Sequence, residues 1–168
     1  YICYVFFLTQ INQKNGKGKK MKTLLKTNDL NNMIERVKKL DPNTKPLFGS
    51  FTPHEMICHL MDQMNYGLGN KKEDTEKVPG PPMFVRKLVR LYLPWPKGKA
   101  QTYPSMLETK PKEWDNDIET LINLMKEFQN IPDQQKLNFH PFFGSLNKKD
   151  WAQLAHRHND HHLSQFGV

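Results

Sequence analysis

Asn147-Lys148-Lys149-Asp150-Trp151-Ala152-Gln153-Leu154-Ala155-His156-Arg157-His158-Asn159-Asp160-His161-His162-Leu163-Ser164-Gln165-Phe166-Gly167 ends the chain one residue short of its last. The direction in which those side chains face decides the fold. Read as a helix from 147 to 165, the segment turns about 100° per residue. With Trp151 at zero, Ala155 and Phe166 fall on one side of it and Leu154 on the other. His158 and His162, four residues apart and so one turn above each other, land between them, with Gln165 close by. His161 falls at the edge of this stripe, and His156 lies far round on the polar side with Gln153 and Asp160. A helix with two imidazoles in its apolar stripe packs them against other helices. An unsatisfied buried polar group costs roughly 1–3 kcal/mol, and one shared metal ion would satisfy both. Asn147 is the expected N-cap with Asp150 at the third helical position, and Gly167 the stop.

A third ligand is found in Phe51-Thr52-Pro53-His54-Glu55-Met56-Ile57-Cys58-His59-Leu60-Met61-Asp62. Thr52 and Glu55 form a capping box with Pro53 at the first helical position. The apolar stripe runs through Met56, Ile57, Leu60, Met61, Met64 and Leu68, with His59 and Gln63 along one edge. His59 is thus the inward-leaning histidine, whereas His54 and His156 are expected at the surface, and Cys58 reads as a small buried apolar residue, with partial exposure the alternative. Leu30, Met33, Ile34, Val37 and Leu40 mark a helix before this one, ended by Asp41-Pro42. Phe84 to Tyr92 mark a short helix stopped by Pro94. Residues 94–110 read as loop, and Trp114 to Phe128 mark another helix. No stretch alternates like a strand. The expectation is all-α, a four-helix bundle with one extra short helix.

The 168 residues suit one domain. Two cysteines, Cys3 and Cys58, are too few for a disulfide framework and fit a reducing cytosol. No apolar run approaches the roughly 20 residues that span a membrane. Residues 1–20 read as a disordered or non-native extension ahead of a single domain at 21–168. The formal charge is +8, but Lys14, Lys17, Lys19 and Lys20 supply four of those charges with no acidic residue beside them. The remainder carries +4, so nucleic-acid binding is not expected. Arg86, Lys87, Arg90, Lys97 and Lys99 read as a solvated basic face.

Several separated motifs resemble the DinB/YfiT-like superfamily of metal-binding four-helix bundles, within it a bacterial branch without a settled reaction. They are Thr52, Pro53, Met56, His59 and Asp62; His140-Pro141-Phe142-Phe143-Gly144; and Trp151 with the terminal histidine helix and Gln165-Phe166-Gly167. The resemblance implies an up-down-down-up bundle over about 21–168. It also implies that His59, His158 and His162 ligate a divalent metal, zinc or nickel, and that the protein is a metal-dependent transferase using a low-molecular-weight thiol.

Three neutral imidazoles leave an open coordination position, which a thiol or a water could enter; the coordination does not distinguish them, and the resemblance makes hydrolysis the lesser variant. Asn159 stands where a His-Glu-x-x-His protease needs its general-base Glu. Gln165, His161, His140 and Gln63 are candidate pocket or outer-shell residues, and Asp62 and Asp160 candidate acceptors. The competing reading is a non-catalytic bundle that binds a metal or small molecule, or forms a homodimer.

Overall fold

The structure, a computed structural model, describes residues 21–73, 81–93, 95 and 103–168. The expectations for residues 1–20, and for Lys97 and Lys99, lie outside them. Among the described residues five α-helices follow in order: α1 Thr27–Lys38, α2 Pro53–Leu68, α3 Met83–Leu91, α4 Trp114–Gln129 and α5 Lys148–Ser164. The described residues include no strand, only a single bridge between His140 and Gly144. Within 94–110, Pro104–Met106 form a 3-10 turn rather than plain loop.

The caps are those the residue types favour. The Thr52 side chain accepts from the Glu55 N–H while the Glu55 carboxylate accepts from the Thr52 N–H, closing the capping box. Gly69 ends α2 in the left-handed conformation. Asn147 accepts from the Asp150 N–H at 2.9 Å.

Four helices form a ring in which α1 touches α4 and α5, and α2 touches the same two. Cross-contacts give their directions. His54 meets Asp117 and Gly67 approaches Phe128, so α2 and α4 run together. Leu24, just before α1, donates to the Ala152 carbonyl, and Arg36 pairs with Asp160, so α1 and α5 run together. Gln129 meets Thr27, and Phe51 and Tyr66 meet His162 and Trp151, so the two pairs are antiparallel.

Trp151 lies fully buried at the centre, its Nε1 donating to the Asn138 carbonyl. Gly67 lets α2 come close there: a Cβ would lie 3.1 Å from both Phe128 and Trp151. Met56, Met61 and Met64 are core, as their stripe implies. The short α3 is held to α5 by Arg157, which donates to the carbonyls of Val89, Arg90 and Leu93, and by the Arg90–Asp150 pair at 2.8 Å.

Two surface expectations are corrected. His156 and Gln153 are buried, because the Leu24 segment and α1 cover the side of α5 that helical angles alone assign to solvent. Arg90 is buried rather than part of a solvated face, its charge met by Asp150.

Candidate metal centre

Helices α2 and α5 bring His59, His158 and His162 together, with one ligand nitrogen from each within 4.8 Å of the others. The Nε2 atoms of His59 and His158 are 3.1 Å apart. The His162 ring lies 4.8 Å from that of His59 and 4.6 Å from that of His158. In a tetrahedral zinc site, bonds of about 2.0–2.1 Å set nitrogens about 3.4 Å apart. The His59–His158 separation is close to that value.

The hydrogen bonds fix which nitrogens are free. His59 Nδ1 lies 2.9 Å from the Met106 carbonyl. A carbonyl only accepts, so Nδ1 carries the hydrogen and Nε2 keeps its lone pair. Gln165 Nε2 donates to the Phe48 carbonyl at 2.6 Å, which turns Gln165 Oε1 toward His162 Nδ1 at 3.0 Å. His162 therefore also presents a lone pair at Nε2. His158 Nδ1 is buried and has no hydrogen-bond partner among the described residues.

Burial sets the protonation. It lowers His59, pushes His162 down to about 3 with help from His59, and holds His158 well below the usual range, where His162, His59, His161 and His140 add to the effect. All three rings are neutral at ordinary pH, the state a metal requires.

Aromatic residues wall the centre. Phe51 stacks on His59 at 5.3 Å, and Trp95 lies 5.7 Å from His158 and 5.8 Å from His161. His161 also packs on Phe48 and His162. His140 lies 4.8 Å from Phe143 and 5.3 Å from Trp151. Its Nδ1 accepts from the Phe142 and Phe143 N–H groups, so its hydrogen sits on Nε2, and burial pushes the ring down to about 3. Gln63 is buried one turn beyond His59.

Asp62 and Asp160 do not contact the clustered histidines. Asp62 accepts from Thr109 and pairs with Lys71, and Asp160 pairs with Arg36. The acceptors behind the histidines are Met106 and Gln165. Neither Met106 nor the aromatic wall has a signal in the sequence beyond its composition.

His54, Cys58 and Asp117 form a second grouping. His54 is half-buried, not at the surface, and bonds Asp117 at 2.7 Å, while Asp117 also accepts from the Lys112 N–H. Cys58 is buried, and burial with Asp117 and Asp62 nearby pushes its thiol up to about 11. This group is satisfied internally and keeps its thiol protonated.

Residues 19–167 match the family described as Protein of unknown function (DUF1569). The chain belongs to this family. Neither the curated proteins nor the solved structures include a match to it. The matched span contains the five described helices and the three clustered histidines.

Proposed function

We propose that His59, His158 and His162 hold one divalent metal ion, zinc or nickel, in a DinB-like four-helix bundle that acts as a metal-dependent thiol S-transferase. The observation that carries the metal reading is the orientation of the rings: of three neutral imidazoles, one buried and two half-buried, two have Nδ1–H tied to an acceptor, leaving Nε2 lone pairs beside the third ring. The ring of helices, with α1 and α5 opposed to α2 and α4, supports the bundle type. Bound at three nitrogens, such an ion supplies an open coordination position and a charge that favours the ionised form of an entering thiol.

The chain's own groups would do the rest. Met106 and Gln165 orient ligands. Phe51 and Trp95 limit water at the centre. His140, locked as an Nε2–H donor, can hold an oxygen of a small-molecule substrate. Among the described residues no helix is long and apolar enough to cross a membrane, and the reaction is proposed for the cytosol, where thiols stay reduced. Nucleic acid is not a proposed partner.

The test is zinc- or nickel-loaded protein incubated with bacillithiol, mycothiol or glutathione and a panel of electrophiles. Thiol conjugates should form with the parent and not with His162→Ala. A loaded parent that conjugates nothing would leave the second reading, a non-catalytic bundle assembled as a homodimer. One observation favours that reading: α3 exposes Met83, Phe84 and Leu88, with Tyr92 just beyond. Phe84→Asp would then convert a dimer to a monomer in light scattering.

A further inference from the structure

The three rings are not equally supported. His59 leans on Met106 and His162 on Gln165, whereas His158 Nδ1 is buried with no partner among the described residues. A second buried group shares that condition. Gln63 is 2 % exposed, and neither its Oε1 nor its Nε2 has a partner among the described residues. Leaving a buried donor or acceptor unmet is unfavourable, so an amide unmet at both ends is an unusual choice for a core position.

Their placement in the fold relates them. Helices α2 and α5 are antiparallel, with His59 against His158 and Tyr66 against Trp151. Gln63 lies between His59 and Tyr66 on α2, and hence at the level between His158 and Trp151 on α5. Side chains on a helix lean toward its N-terminus, which carries the Gln63 amide from that level toward His158. An imidazole that binds a metal through Nε2 must carry its hydrogen on Nδ1, and that hydrogen needs an acceptor.

We infer that Gln63 is the acceptor for His158: its Oε1 takes the Nδ1–H when the metal is bound, making it the positioning residue of the third ligand. The inference rests on the metal reading above and assigns Gln63 a place in it. It also explains why a leucine or methionine does not stand at 63, since the amide is unfavourable in the metal-free protein and rewarded only in the loaded one.

Gln63→Leu separates this from a packing role. In the full chain, zinc affinity measured by competition with a chromophoric chelator should fall about 10- to 100-fold, while the thermal midpoint of the metal-free protein stays level or rises. Gln63→Glu, which keeps an acceptor, should hold zinc within threefold of the parent. In cobalt-loaded protein, one of the shifted ring N–H proton resonances should broaden in Gln63→Leu. Unchanged zinc affinity in Gln63→Leu would overturn the inference, and so would a fall matched by a lower thermal midpoint. A parent that binds zinc while Gln63→Leu binds it equally leaves the metal reading standing alone. A parent that binds no zinc overturns both.

Discussion

Gly49 is remote from the histidines in sequence but should govern how well they hold a metal. Its φ is +78°, and a Cβ there would collide with Gln165 Nε2. The amide cannot simply rotate away without consequence, because Nε2 donates to the Phe48 carbonyl and Oε1 accepts from His162. In Gly49→Ala the left-handed backbone disfavours a side chain by about 1–2 kcal/mol. Displacing the amide removes two hydrogen bonds worth about 0.5–1.5 kcal/mol each. The expected loss of folding stability is therefore roughly 2–5 kcal/mol, and zinc affinity should drop about 10-fold or more because His162 loses its orienting acceptor. Urea unfolding and a chelator competition measure the two effects. The decisive comparison is Gly49→Ala in a Gln165→Ala background. With no amide left to displace, the alanine should lower stability only by the backbone contribution and leave the already reduced affinity unchanged. Equal affinity losses from Gly49→Ala with and without Gln165 would refute this coupling.

Two further predictions follow from burial and packing. His140 and His162 sit near 3 when folded, against 6.5 for an ordinary ring. The unfolded chain therefore binds more protons below pH 6.5, and the metal-free protein should have full stability above 6.5 and lose up to about 1.4 kcal/mol per pH unit for each ring as pH falls toward 3. Urea melts that coincide between pH 7.5 and 5 would contradict it. Gly67→Ala should be destabilising by about 1 kcal/mol or more, because crowding of Phe128 and Trp151 at 3.1 Å outweighs the better helix propensity of alanine; a higher thermal midpoint would show that the rings yield freely.

Much of this site was legible because it uses helical periodicity. The angles about Trp151 select His158 and His162, and the capping box at Thr52 starts the helix that turns His59 inward; all three meet in the structure. Gln165 and Gln63, on the same faces, are buried as their angles imply. What escaped has no periodic signature. The acceptor behind His59 is a main-chain carbonyl, Met106, in a segment that reads as loop, and any residue type carries one. Phe51 and Trp95 reach the histidines only through the fold. His156 was misread because angles describe one helix against one core, and α5 is covered by the Leu24 segment as well as by α1 and α2. Asp62 and Asp160, the candidate acceptors, lie at helical angles partly away from the stripe, and Lys71 and Arg36 engage them instead.

The most direct measurement is the metal content, by elemental analysis, of protein purified without a histidine tag, alongside a His158→Ala/His162→Ala variant of the same chain. A three-histidine centre predicts about one equivalent of zinc or nickel in the parent and none in the variant, with both folded by circular dichroism. A parent without metal, even after reconstitution with zinc, nickel and manganese, would contradict the account and leave three neutral histidines packed as core.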